Sequence, residues 1–418
     1  MKPKSAVIIG AGVIGAFAAY FLLKKGWQTI LIDQGTFGNG SSEGNCGLIV
    51  PNHVLPLNSY ATLVTALGSM LKKDAPLHVN PRLKPDQIRW FCSFALKCGH
   101  RDIAASARGR HALLQSAFAL YPGIIEKERL DCDWEVAGSV HAFKTRSAWE
   151  AFRKEESVVR QYGIAARPLN RKQLQRLEPG LSTDLYGGWH YPQTAQLCPE
   201  KLLEAMHGML SGKGATIIEN TQVTGFEVGS GRAMGVRAGN KTIAADAFVV
   251  ATGAWAPFLA KDLGCRLPIQ PGKGYSLTFA HPPEAPARAC FFEEKSVVAT
   301  PWPDSLRLGG TMEFSGFDDR LNPERLKALT RGADQYMRHP VAGPAAKEWC
   351  GFRPMTADGL PVIDWSPALE NVLVAAGHNM LGLSMGPGTG RLVAEMVSRE
   401  KPHVDPRAYR LQRFKGTP

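Results

Sequence analysis

The chain opens on a short unbroken apolar run, Ala6-Val7-Ile8-Ile9, of the kind that forms a strand buried on both faces of a parallel sheet. A glycine-rich turn, Gly10-Ala-Gly-Val-Ile-Gly15, follows, then apolar residues at helical spacing over 16–25, stopped by Gly26. Thr29-Ile-Leu-Ile-Asp33 supplies a second strand, and the three pieces make a βαβ unit, the topology of a dinucleotide fold. Over 57–73 the apolar residues recur with helical period and end on Lys72-Lys73. That predicts an amphipathic helix, packed on its own domain or laid on a membrane surface. Residues 89–176 read as mainly helical and rich in cations, with a β-like insert at 134–143. A helix with Pro199 in its first turn covers 199–206, and strands are predicted at 215–219, 223–228, 233–237 and 247–251. Strand patterns then cover 275–279, 296–300 and 306–313, a helix 323–338, a buried strand 372–376 and a closing helix 390–399.

No internal repeat is present, and buried strands return late in the chain, so the cofactor domain is expected to be discontinuous. It is an α/β, Rossmann-type domain over 1–76, 190–257 and 346–418. The intervening segments, 77–189 and 258–345, are expected to form a second, α+β substrate domain built on an antiparallel sheet.

Composition narrows the function. The 418 residues are 44% hydrophobic and 21% charged, enough for two sizeable cores and too apolar for a disordered chain. Eight cysteines scattered without a CxxC pair argue against a zinc site or a disulfide framework. They fit buried thiols in a reducing, cytoplasmic compartment, and no metal site is expected. A net charge of +12 favours anionic partners: a phosphate-bearing cofactor, a carboxylate substrate, a lipid surface or nucleic acid. Three uncharged stretches, 5–23, 44–71 and 371–390, are broken by glycine, proline or polar residues. Neither a signal peptide nor a transmembrane helix is therefore predicted, and a peripheral contact at the inner membrane face is left to the 57–73 helix.

The Gly10-x-Gly-x-x-Gly15 turn has chemistry because it follows a strand and opens a helix. Gly10 permits the turn, Gly12 lets backbone approach a pyrophosphate at the positive helix end, and Gly15 allows close helix-strand packing. Asp33 ends the second strand, where its carboxylate can accept ribose hydroxyls and repels a 2′-phosphate; this favours NAD or FAD over NADP. Gly40-Ser-Ser-Glu-Gly-Asn-Cys-Gly47 can bring amides and hydroxyls to phosphates, although an ordinary turn has the same composition. Val249-Val-Ala-Thr-Gly-Ala-Trp-Ala256 sets a buried strand against a glycine turn, suited to close approach by a dinucleotide.

Taken with Ser41-Ser42-x-x-Asn45-x-Gly47, Ala251-Thr-Gly-Ala-Trp255, Gly272-Lys-Gly-Tyr-Ser276, Arg307-Leu-Gly-Gly-Thr-Met-Glu-Phe-Ser-Gly-Phe-Asp318, Gly351-Phe-Arg-Pro-Met-Thr-Ala-Asp-Gly-Leu-Pro361 and Gly377-His-Asn-Met-Leu-Gly-Leu-Ser384, these motifs run in family order through the chain. The chain thus resembles the bacterial D-amino acid dehydrogenases, within the wider D-amino acid oxidase and glycine oxidase group. The resemblance implies FAD and oxidation of the Cα–N bond of a small D-amino or cyclic imino acid by hydride transfer, with a quinone, an electron-transfer protein or O2 as acceptor. It places the cofactor against Gly10, Gly12, Val13, Ile14, Gly15, Asp33 and Gln34, against Ser41, Ser42, Asn45, Gly47 and Leu48, and against Val223, Thr252, Gly253 and Trp255. Met380, Leu381, Gly382, Leu383 and Ser384 complete that set.

Arg353 matches the position whose guanidinium clamps the substrate carboxylate, a task for a rigid, permanently charged fork; a structural salt bridge is the other use of such a fork. Tyr275 is a candidate to hydrogen-bond that carboxylate or line its pocket, with a place in the core as the alternative. His378 is a candidate proton relay or orienting group. Pro387-Gly-Thr-Gly-Arg391 is expected to open the final helix and to turn its amides toward the anionic edge of reduced flavin. One departure stands out: many family members read Gly-His-Gly-Thr-Leu-Gly-Trp where this chain has Gly377-His-Asn-Met-Leu-Gly-Leu383. That form is closer to members acting on cyclic imino acids such as D-hydroxyproline. The competing readings are a glycine- or sarcosine-type oxidase that makes peroxide, and a tRNA-associated flavoprotein with 82–110 as its footprint. The cations of 82–110 are too dispersed among the aromatics to favour RNA.

Overall fold

The computed structural model describes residues 3–58, 77–79, 85–341 and 343–414. Most of the helix expected over 57–73 lies outside them, as does Arg82. A six-stranded sheet runs in the order Val362–Trp365, Val372–Ala376, Ala247–Val250, Ser5–Ile9, Gln28–Ile32, Thr216–Ile218. All neighbours are parallel except the outermost Val362–Trp365. The unbroken apolar run at the start is explained by two cores. Ala6 and Ile8 enter one with the helix Val13–Lys24, while Val7 and Ile9 enter another with Phe226 and Val236. The latter pair comes from an antiparallel meander, Val223–Gly229, Arg232–Ala238 and Lys241–Ala244.

The closing helix begins at Gly382 and runs to Val397, eight residues ahead of the predicted start. Pro387 sits inside it and cannot donate to the carbonyl of Leu383 four residues back. That carbonyl instead accepts the Tyr121 hydroxyl at 2.6 Å, so the helix passes through the proline without an unpaired acceptor. The glycines expected at the helix opening are packing sites within it. A Cβ on Gly390 would lie 2.5 Å from the Phe17 carbonyl carbon, and one on Gly388 2.9 Å from Leu113 O. The helix thereby seats against both Val13–Lys24 and His100–Glu128. Gly390→Ala gains helix propensity but drives a methyl into backbone that cannot yield; overpacking dominates, costing about 1–3 kcal/mol. A lowered unfolding temperature with unchanged far-UV circular dichroism is the expected result.

A nine-stranded sheet forms the second half, in the order Lys347–Thr356, Ile269–Ala280, Ser305–Phe314, Val297–Trp302, Ala289–Phe292, Ser139–Phe143, Gly187–Tyr191, Arg167–Asn170, with Leu77–Val79 beside Ser305–Phe314. It is antiparallel except for two parallel pairings, that of Leu77–Val79 and that of Ala289–Phe292 with Ser139–Phe143. The strand expected at 275–279 is the second half of the longer Ile269–Ala280, whose first half is hidden in sequence by Pro271, Gly272 and Gly274. Lys347–Thr356 pairs with it from Ile269↔Thr356 to Thr278↔Lys347, so the segment 346–418 supplies strands to both sheets. The helix Pro323–Ala333 covers one face of the large sheet, burying Leu326 and Leu329 against Tyr275, Leu277 and Leu308.

Candidate functional site

A cavity of about 1570 Å³ is lined by residues of both halves. On the nucleotide side Gly10 adopts φ +103, and a Cβ there would meet Ala251 O at 2.5 Å, so the turn admits only glycine. Asp33 stands at its base. One carboxylate oxygen accepts from the Ala11 amide at 2.7 Å and the other from Gly35 at 2.9 Å. Burial raises its pKa and these amide bonds oppose the rise. A carboxylate offers about four acceptor sites, so two remain for the ribose hydroxyls expected from the motif.

Gly12 has no side chain with which to cap the helix Val13–Lys24, and Ser42 does it from a distance: its Oγ accepts from Val13 N at 3.1 Å. This draws the 40–47 loop over the positive helix end. The loop is held by a residue whose role composition did not reveal. Arg307, 2% exposed, donates to the carbonyls of Asn45 at 2.8 Å and Glu43 at 3.1 Å, to Thr278 Oγ1 at 3.0 Å, and to Glu200. Its signal was a cation placed between Leu306 and Leu308 in an apolar strand. Asn45 Oδ1 in turn accepts from Gly47 N at 2.9 Å.

Of the expected cofactor contacts, Gly10, Gly12, Val13, Ile14, Asp33, Gln34, Ser41, Ser42, Asn45, Leu48, Val223, Thr252, Gly253, Trp255, Met380, Leu381, Gly382, Leu383 and Ser384 line the cavity. Gly15 and Gly47 stand behind its wall, where a Cβ would lie 1.9 Å from Gly10 O and 2.0 Å from Leu197 O respectively. Ser384 Oγ donates to Leu48 O at 2.8 Å and accepts from Val50 N at 3.2 Å, tying the last helix to the loop. Thr252 Oγ1 is buried with no partner among the described residues, a donor left for a ligand. The glycine cradle, the braced acid, the capped helix end and this orphan hydroxyl fit an adenine dinucleotide. The amides expected at Pro387–Arg391 lie inside the helix; its positive end is the turn from Gly382, which faces the cavity.

Arg353 comes from the large sheet. Its guanidinium rests on the bare backbone of Gly274, where a Cβ would lie 2.2 Å from Cζ. Nη1 donates to Thr311 O at 2.7 Å and Nη2 to Gly310 O at 3.4 Å. No carboxylate among the described residues pairs with it, which removes the structural salt bridge. Burial lowers its pKa, but a guanidinium stays charged at any ordinary pH. Beside it runs an aromatic wall of Trp90, Phe91, Phe94 and Phe314, with Trp90 anchored through Nε1 to Met355 O at 2.9 Å. The helix Pro85–Leu96 that carries most of this wall read in sequence only as part of a cationic helical stretch.

All three expected catalytic residues border the cavity, but two of them spend a polar atom on protein partners. Tyr275 pairs with Cys350 and Gly310 in register, which sets its side chain on the opposite face of the sheet from Arg353. Its hydroxyl donates to Glu313 at 2.9 Å, and burial followed by that carboxylate pushes its pKa up. It is therefore not available to bond a carboxylate held by Arg353. His378 is buried with Nε2 3.0 Å from Thr389 Oγ1, and desolvation takes its pKa down to about 3. Desolvation thus favours the neutral ring, tied to the final helix through Thr389. His53, also on the cavity wall, is lowered to about 3 by burial, His141 and Arg110. Arg110, within the stretch weighed for RNA, is 4% exposed and donates to His53 O at 2.9 Å.

Among the described residues no cluster of three or more His, Cys, Asp or Glu is placed to hold a metal ion, and no helix is long and apolar enough to cross a membrane. All eight cysteines are free, three of them buried, so the expected burial holds for fewer than half.

The model of the family described as FAD dependent oxidoreductase matches residues 5–396. The chain is 28% identical over 416 residues to a D-amino acid dehydrogenase of Granulibacter bethesdensis, spanning 98% of this chain and 99% of that one. To a D-amino acid dehydrogenase of Agrobacterium fabrum it is 28% identical over 413 residues, 97% and 99% of the two chains. Among solved structures, glycine oxidase from Geobacillus kaustophilus has a similar fold, with a TM-score of 0.79 at 23% identity over 99% of this chain and 100% of that one.

Proposed function

Because the chain belongs to the FAD dependent oxidoreductase family, we propose that it oxidises the Cα–N bond of a small D-amino or cyclic imino acid and passes the electrons to a quinone or another acceptor. The observation that carries this reading is Arg353: a half-buried guanidinium without a counter-charge among the described residues, on the wall of the cavity whose other side is the dinucleotide cradle. A carboxylate supplies the missing charge and satisfies the outward edge of the fork. The D-amino acid dehydrogenases matched over nearly the whole chain support the substrate class. Bound FAD supplies the hydride acceptor. The chain's own residues orient and enclose: Arg353 grips the carboxylate, and the wall of Trp90, Phe94 and Phe314 keeps water from the reacting carbon.

The Asn379-Met380 departure bears on size. Asn379, at φ 55, is a structural tie, its Oδ1 accepting from Thr356 N at 3.0 Å. Met380 packs against the Trp90 and Phe94 cluster and narrows the cavity there, which favours a compact ring such as proline or 4-hydroxyproline in the D configuration. Anaerobic bleaching of the bound flavin by D- and L-amino acids, D-proline, cis-4-hydroxy-D-proline, glycine and sarcosine tests the reading; no bleaching by any D-amino or imino acid ends it. Peroxide formed without added acceptor would make the enzyme an oxidase, and reduction of a soluble quinone analogue a dehydrogenase.

The amine must be neutral for its lone pair to assist departure of the hydride, and desolvation favours the neutral form of both His378 and His53. Log kcat/KM is therefore expected to rise with pH at unit slope toward the pKa of the substrate amine. No break should occur near 6.5, the ordinary histidine value, since both rings titrate at about 3. An inflection at pH 6–7 that His378→Asn removes would restore His378 as a relay.

A further inference from the structure

A β-branched residue in the left-handed region is a backbone outlier, and Thr311 occupies it at φ 54. The cause is a β-bulge. Lys273 pairs with Glu313 and Tyr275 with Gly310, so Thr311 and Met312 together face the single residue Gly274. The extra residue turns the Thr311 carbonyl to Arg353 Nη1 at 2.7 Å, while Gly274, lacking a side chain, leaves the guanidinium its seat. The other polar atom of the residue is unused: Thr311 Oγ1 is buried, without a partner among the described residues, in a residue that lines the cavity. Glycine would take this conformation without strain. A strained threonine, beside a guanidinium awaiting an anion and holding an unspent donor, has the marks of a functional position.

We propose that Thr311 is a second binding group for the substrate carboxylate. Its carbonyl fixes the plane of the Arg353 fork, and its hydroxyl donates to a carboxylate oxygen that the fork grips. This rests on the reading of Arg353 as the carboxylate clamp. The bulge thus makes one residue serve both ends of the contact, setting the cation and adding a neutral donor. Thr311 takes no part in breaking the Cα–H bond.

The test uses the FAD-loaded enzyme with Thr311→Val, which keeps the shape and removes the hydroxyl, Thr311→Ser, which keeps the hydroxyl, and Thr311→Gly, which removes both hydroxyl and strain. Acetate, titrated against the visible flavin spectrum, reads carboxylate binding without turnover; KM and kcat are taken on the best substrate of the bleaching screen. Thr311→Val is expected to raise the acetate Kd and the KM about tenfold, the worth of a hydrogen bond to a charged group, with kcat within about twofold. Thr311→Ser should stay within about threefold of the unaltered enzyme, and Thr311→Gly should bind as weakly as Thr311→Val while melting no lower than the parent. Unaltered acetate and substrate binding in Thr311→Val overturns the proposal, as does equal weakening in Thr311→Ser. If Thr311→Val does not retain FAD, the Ser and Gly variants decide: a difference between them supports the hydroxyl, and equal binding overturns it. Arg353→Lys is run alongside. Acetate binding sensitive to Arg353 but not to Thr311 removes this inference alone; binding sensitive to neither removes the clamp and this inference with it.

Discussion

Arg353→Ala is expected to leave the purified protein yellow and to raise KM for the amino acid more than 100-fold, the equivalent of about 3 kcal/mol for a part-buried, hydrogen-bonded charge pair that loses one partner. The fork grips the carboxylate before and during hydride transfer, so its loss should fall mainly on KM, with a smaller change in kcat from looser orientation of the reacting carbon. Arg353→Lys keeps a charge but cannot present two parallel donors, nor span the Thr311 and Gly310 carbonyls as the fork does. It should recover only a small part of the loss. Steady-state kinetics with the flavin content of each variant measured by absorbance checks this. A KM within a few-fold of the parent for Arg353→Ala would take the residue out of the substrate site.

The second large effect lies at the other end of the cavity. Asp33→Ala should weaken FAD binding about 100-fold, because the turn is braced by the same carboxylate that the motif assigns to the ribose. Each oxygen holds a backbone amide, Ala11 on the glycine turn and Gly35 on the following loop. Removal therefore frees the cradle as well as deleting the contact. Asp33→Asn, with a single acceptor oxygen, can brace one amide and should fall between. Flavin retained through gel filtration and the Kd of the apoprotein for FAD are the measurements. Full retention by Asp33→Ala would confine the acid to local structure.

The first βαβ unit was legible because every level agrees there. An apolar run, a glycine turn, a helical period and a terminal acid each have one reading, and their contacts are close in sequence. Periodicity was weaker where glycine and proline serve packing. Pro387, Gly388 and Gly390 read as the opening of the last helix and not as its interior, since nothing along the chain shows that Tyr121 takes over the carbonyl freed by Pro387 or that Phe17 requires an empty Cβ position. Tyr275 shows the same limit in a strand. Its place one residue from Gly274 was visible, but the face of the sheet it takes depends on register with Cys350 and Gly310, and one step in register exchanges the faces.

Local chemistry along the chain determined the dinucleotide turn, its acid and the polar loop beside it, since each needs only residue type and near spacing; the candidacy of Arg353 came from the family resemblance. Tertiary structure decided which candidates meet. It put Arg353 over Gly274 without a counter-charge among the described residues, buried His378 so that its neutral form is favoured, sent the Tyr275 hydroxyl to Glu313, brought Arg307 under the 40–47 loop, and brought to the site Trp90, which no motif had marked. The reason is that charge state and reach depend on what surrounds a group in space, and those surroundings come from strands and helices far apart in the chain, 336 residues in the bond from Ser384 to Leu48.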